Sequence, residues 1–190
     1  MSLTAKIEFL CEIDRLKGVH RASLLIDKSR KENSAEHSWH LAMYALVLSR
    51  HTELEIDLLR VFKMLLIHDV VEIDAGDLPL HTVVDRDTQL QKEIDAADRL
   101  FGILEEPLRG ELRDLWLEFE EGKTNDARFA KSLDRLQPLI QNLCTEGGAW
   151  IAPQLTEQQV CQRYGPQIDK GSRQLWSYAK ELVANHFSRR

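Results

Sequence analysis

From Ile56 to Val71, apolar side chains cover nearly every side of a helix (Leu58, Leu59, Val61, Phe62, Met64, Leu65, Leu66 and Ile67), and the run ends in His68-Asp69. A helix that is apolar all round belongs inside a protein, so other helices have to enclose this one. An unpaired carboxylate is costly to bury, so the charge of Asp69 needs compensation. The rest of the chain can supply an enclosure. Apolar residues recur at three and four positions through Ile7, Leu10, Cys11, Ile13 and Leu16, and strand-like alternation is hard to find.

The same spacing predicts a helix over 35–51 behind a Ser34 cap, with Trp39, Met43, Leu46 and Val47 on one apolar face. Further helices are predicted over 88–104, 106–121 and 125–145, the last opened by Thr124-Asn125 and closed by Gly147-Gly148. Pro138 predicts a kink or break in it. Thr156-Glu157-Gln158-Gln159 has capping-box form and starts a short helix that Gly165-Pro166 should stop. A terminal helix runs to about Phe187, and Gly76, Asp77 and Pro79 mark a loop to about Asp87, suited to rim a site. With no repeat or linker to divide 190 residues, these elements imply an all-α, single-domain helical bundle over 1–190.

Composition narrows the function. With 43% apolar and 29% charged residues, the chain is of the globular kind. A net charge of -6 excludes a general footprint for nucleic acid, although Lys17, Arg21, Lys28, Arg30 and Lys31 make one stretch locally basic. Three cysteines without a Cys-x-x-Cys pair point to a reducing cytoplasm. Glu8, Glu12 and Asp14 interrupt the first apolar stretch, and no run reaches the ~20 residues of a membrane span, so neither a secretory segment nor a membrane partner is expected.

His68-Asp69 has company. His37 opens the helix before it, and Asp134 lies on a later helix amid Leu133, Leu136 and Leu139, a second carboxylate on an apolar background. Ligand-type side chains on three helices suit a metal site in a bundle core. Two imidazoles and two carboxylates favour one divalent transition metal (manganese, cobalt, iron, nickel or zinc), with calcium and magnesium disfavoured. Such a set leaves positions for water and substrate, which is the form of a catalytic site and suits phosphoester hydrolysis by a metal-bound water.

The ordered set His37, His68-Asp69, Asp134 resembles the HD superfamily of metal-dependent phosphohydrolases. Glu-Asn-Ser-Ala-Glu-His (32–37), His-Asp-Val-Val-Glu-Ile-Asp-Ala-Gly-Asp-Leu-Pro (68–79) and Lys-Ser-Leu-Asp-Arg-Leu (131–136) are similar to its 5'-deoxynucleotidase branch and eukaryotic relatives. The resemblance covers about 5–145, leaving 146–190 as a C-terminal helical extension. It implies an HD-type bundle, the metal ligands His37, His68, Asp69 and Asp134, Glu72 as catalytic acid or base, Asp77 as a second catalytic carboxylate, and Arg21 as the holder of the substrate phosphate. A guanidinium suits that last task. The implied substrate is a small (deoxy)nucleoside monophosphate that loses its 5'-phosphate, and the implied assembly is a homodimer. Leu24 stands where the branch carries a tryptophan tied to sugar selection, which puts deoxyribose preference in question. The alternatives are a weakly active or inactive HD module that binds a nucleotide for regulation, a purely structural bundle, and a nuclease or cyclic-dinucleotide phosphodiesterase. The last would show further histidines. His20, His40, His51, His81 and His186 read as surface or hydrogen-bonded structural residues, and Trp39, Trp116, Trp150 and Trp176 as core or interface.

Overall fold

In the computed structural model, which describes residues 2–82 and 85–189, the apolar run forms α3 (Leu58–Ile67), capped by the Asp57 side chain. Val61, Met64 and Leu65 are fully buried, whereas Leu59 and Leu66 reach the surface, so α3 is covered on one side rather than enclosed. The helix also stops earlier than its pattern predicts. His68–Val71 tighten into a 3-10 turn, and α4 (Glu72–Ala75) follows it. Gly76, at φ +76°, ends that segment in a conformation that disfavours side chains.

Before α3 come α1 (Leu3–Ile13), a 3-10 turn over Asp14–Gly18, and a two-stranded antiparallel ribbon of β1 (His20–Leu24) and β2 (Lys31–Asn33). The ribbon departs from the all-helical expectation and absorbs the basic stretch. It leads directly into α2 (Ser34–Leu48), whose cap is Asn33 rather than Ser34. Asn33 accepts from the Glu36 backbone N–H while Glu36 accepts from that of Asn33, a capping box that frees Ser34 for other work. The face carrying Trp39, Met43, Leu46 and Val47 points outward, and α2 packs inward through Ser34, His37, Ser38, Leu41 and Ala45.

After α4 come α5 (Arg86–Phe101), α6 (Leu108–Glu121), α7 (Asn125–Cys144), α8 (Glu157–Gly171) and α9 (Arg173–Ser188). Of the predicted loop 76–87, residues 83 and 84 lie outside the described residues. Pro138 does not break α7, which runs through it with both flanks buried. Gly165-Pro166 does not stop α8 either. Gly165 lets Trp176 of α9 pack against the backbone, because a Cβ there would come within 2.4 Å of the indole. The capping box at Thr156 and Gln159 is present.

Two apolar clusters organise the molecule. The larger draws Leu41, Met64 and Leu133 of α2, α3 and α7 together with Trp150, Ile168 and Val183 from beyond residue 145. The smaller gathers Phe9, Leu16, Val70, Val71, Phe101 and Trp116. His68 and Asp69, buried on the turn that carries Val70 and Val71, lie where α3 leaves the first cluster for the second.

Candidate metal centre

Three helical segments and the ribbon converge on one buried polar spot. The capped first turn of α2 delivers His37, the 3-10 turn delivers His68 and Asp69, α7 delivers Asp134, and β1 delivers Arg21. One ligand atom from each of His37, His68 and Asp69 lies within 4.8 Å of the other two. His37 Nε2 is 3.1 Å from Asp134 Oδ1 and 4.0 Å from Asp69 Oδ2. His68 Nε2 is 3.0 Å from Asp69 Oδ1 and 3.7 Å from Asp134 Oδ1.

The fit to a cation rests on His68. Its Nδ1 donates to the Leu65 carbonyl at 3.0 Å, which fixes Nε2 as the ring atom facing the carboxylates. That Nε2 is buried and, although Asp69 Oδ1 is 3.0 Å away, has no hydrogen-bond partner among the described residues. Such a position demands positive charge. Burial alone would push His68 down, but Asp69 and then Asp134 outweigh it and raise the imidazole to about 10. Burial pushes Asp69 up, yet His68 and Arg21 pull it down to about 2. Asp134 is held well below the usual carboxylate range, its burial being outweighed by Arg135 and the two imidazoles. A divalent cation, which needs neutral imidazole and ionised carboxylate, supplies what this donor set lacks.

Arg21 donates from Nη1 to Asp69 Oδ2 at 2.9 Å, and the same nitrogen lies 3.7 Å from Asp77 Oδ1. Burial would lower its guanidinium, but Asp69, Asp77, Glu72 and Asp134 together raise it. Glu72 stands apart from the ligand cluster and accepts from Ser34 Oγ at 2.6 Å. Burial first, and Asp69 second, raise its carboxyl to about 9, so it holds a proton at neutral pH. Burial also raises Asp77, against the pull of Arg21.

Arg21, His68, Asp69, Glu72, Asp77 and Asp134, but not His37, line one cavity of about 440 Å³, within the ~300–1,000 Å³ range of small-molecule sites. Its walls extend through Asp77–Thr82, Lys131 and Arg135 to Tyr164 on α8, so the segment beyond residue 145 contributes to the site. Leu24 is not among the lining residues, whereas Ala22 and Ser23 are, so the expectation about position 24 lacks a contact there. Glu120, near the end of α6, lines the cavity and pairs with Lys131 at 3.3 Å. Sequence reasoning also missed Glu32 and Gln137. Both are buried beside His37; Gln137 is a polar residue amid Leu136, Pro138 and Leu139, whereas Glu32 lies among Lys31, Asn33 and Ser34 and does not stand out.

Buried imidazoles and carboxylates opening on a cavity of this size define a helical, metal-dependent hydrolase type of centre. The chain belongs to the HD domain family, whose pattern matches residues 13–176. It is similar to a predicted metal-dependent phosphohydrolase from Magnetospirillum magnetotacticum, with 46% identity and a TM-score of 0.91 over 98% of this chain and 96% of the other. It is 31% identical over 136 residues to the 5'-deoxynucleotidase HDDC2 of Bos taurus, covering 71% of this chain and 65% of that protein. The Danio rerio protein of the same name is 28% identical, with 66% of its length covered. The chain thus spans about two thirds of the length of the curated relatives it matches. A conserved hypothetical protein from Pyrococcus furiosus, 23% identical with a TM-score of 0.63, shares the fold. Family and site together support a divalent metal cofactor. Among the described residues no helix is long and apolar enough to cross a membrane.

Proposed function

We propose that this chain is a metal-dependent phosphomonoester hydrolase that removes the 5'-phosphate from (deoxy)nucleoside monophosphates. The observation that carries this reading is the buried, unpartnered His68 Nε2 facing two carboxylates at the wall of a small-molecule cavity. His37, His68, Asp69 and Asp134 hold the cation, one of manganese, cobalt, iron, nickel or zinc. When bound, it acidifies a water and polarises a phosphoryl oxygen.

The remaining work falls to the chain. Arg21, bonded to Asp69, presents its guanidinium to the nonbridging phosphate oxygens and holds the phosphorus next to the ligand cluster. Ser34 Oγ–H occupies Glu72 Oε2, which leaves the acid proton of Glu72 on Oε1. From there Glu72 can protonate the leaving 5'-oxygen as the P–O bond to the nucleoside breaks, and its carboxylate can take a proton from the water that forms the new P–O bond. Asp77, 3.7 Å from the same Arg21 nitrogen that bonds Asp69, steers that guanidinium and accepts from the substrate.

The rest of the reading follows from the surface. The outward apolar face of α2 suits a second copy of the chain, so the assembly is a homodimer. The net charge of -6 suits a small-molecule substrate rather than nucleic acid, and three free cysteines suit the cytoplasm. Residues 1–190 act as one domain, with 146–190 supplying Tyr164 to the cavity. The deciding experiment is metal analysis of the purified protein combined with phosphate release from a panel of ribo- and deoxyribonucleoside monophosphates under each candidate metal. Metal-dependent release that disappears in Asp69→Ala is expected. A protein that binds none of the metals, or releases phosphate equally well without them, would sink the reading.

A further inference from the structure

His37 is the most deeply enclosed of the four ligand residues, at 0% exposure, and its second nitrogen enters a polar network that the hydrolytic mechanism does not use. His37 Nδ1 lies 3.0 Å from Gln137 Oε1. The Gln137 amide could in principle be turned either way. Its surroundings decide the orientation, because the Nε2 side meets the Glu32 carboxylate, whose Oε1 accepts at 3.0 Å, with Gln141 Oε1 at 3.0 Å and His40 Nδ1 at 3.2 Å beside it. A turned amide would place its carbonyl oxygen against the Glu32 carboxylate. Gln137 Oε1 therefore faces His37, and an amide oxygen can only accept, so this side of the ring is satisfied by a proton on Nδ1.

The consequence appears on the other side of the ring. With its proton on Nδ1, a neutral His37 directs a lone pair from Nε2 at Asp134 Oδ1, only 3.1 Å away. Two acceptors at that distance repel unless a cation lies against both. Glu32 also reaches the opposite wall: its Oε2 is 3.7 Å from Arg21 Nε, and both atoms are buried and make no hydrogen bond elsewhere.

We propose that Glu32 and Gln137 form a positioning relay: Glu32 orients the Gln137 amide, the amide fixes the His37 proton on Nδ1 so that Nε2 is offered to the metal, and the same carboxylate braces Arg21. The relay rests on the hydrolase reading for the identity of the metal site but not for its own geometry. Neither residue touches substrate; both act through others. Partners of this kind, which hold a ligating histidine by its second nitrogen, typically change metal affinity about 10- to 100-fold when removed.

The test has a readout that general destabilisation does not move. In zinc-loaded protein labelled with ¹⁵N-histidine, long-range ¹H–¹⁵N correlation should show His37 protonated on Nδ1. Gln137→Leu should give mixed tautomers and bind cobalt(II), followed by its visible absorption and by calorimetry, about 10- to 100-fold more weakly. The exchange Glu32→Gln with Gln137→Glu keeps an acceptor at Nδ1 and an amide donor behind it, so it should retain both the tautomer and the cobalt affinity. Wild-type His37 protonated on Nε2, an unchanged tautomer and affinity in Gln137→Leu, or an exchange variant as weak as Gln137→Leu would each overturn the relay. If Gln137→Leu does not fold, the wild-type tautomer and the exchange variant decide between them. Cobalt binding without phosphate release from nucleoside monophosphates would defeat the proposed activity and leave the relay standing. Phosphate release with His37 protonated on Nε2 would do the reverse.

Discussion

The two faces of α2 reverse the usual arrangement of a surface helix. Inward, the helix offers Ser34, His37, Ser38, Leu41 and Ala45, mostly small or polar and all buried. Outward it exposes Trp39 at 63%, Leu46 at 55%, Val47 at 66% and Met43 at 39%. Small residues let α2 lie close to α3 and α7, and that closeness brings Nε2 of His37 within reach of Asp134. Hydrophobic periodicity locates a helix, but here it misidentifies the inner face, because the ligand chemistry claims that face and the large apolar side chains are left outside.

Substitutions on the two faces should separate accordingly. The largest effect belongs to His37→Ala, which should lose metal and reduce phosphate release to background, while Trp39→Ala, two residues on, should keep both; metal content after dialysis and a phosphate assay check the pair. Glu72→Gln tests the partner of the inward Ser34. Turnover should fall by roughly 10²- to 10⁴-fold with metal occupancy near wild type. Equal losses of metal and turnover would instead make Glu72 a ligand. In stability, Leu41→Ala on the inner face should cost about 2–5 kcal/mol in urea unfolding, the price of a cavity in a closed site. Val47→Ala on the outer face should stay within about 0.5 kcal/mol at concentrations where the chain is monomeric. Smallest for activity and stability is the pair Leu46→Glu with Val47→Glu, which should lower the sedimenting mass from dimer to monomer and leave metal content alone. An unchanged mass would remove α2 from the interface.

What could be read from the sequence followed a physical rule. His68, Asp69 and Asp134 stood out because each is a polar group inside an apolar run, where burial without compensation is expensive. The helices around them were equally legible from their spacing. The ribbon was not, because strands of five and three residues are too short for alternation to register. Pro138, Gly165 and Pro166 misled because local rules yield to packing: α7 is buried along much of its length, and Gly165 is the place where Trp176 presses on α8. Gln137 gave no warning, since an uncharged amide on a helix needs no compensation that composition can reveal. Its role depends on Glu32, 105 residues away in the chain.

The 3-10 turn at His68–Val71 gives this part of the chain a reading frame. Such a turn repeats every three residues, so Asp69 and Glu72 share one line along it, while Val70 and Val71 occupy the other two. The first line faces the cavity, Val70 turns into the smaller apolar cluster, and the line of His68 and Val71 reaches both. One inserted or deleted residue between 68 and 72 would rotate all that follows by about 120°. Glu72 would then leave its place at the cavity wall beside Ser34. A substitution in this turn disturbs one group at a time, whereas a change of length moves every group that follows it.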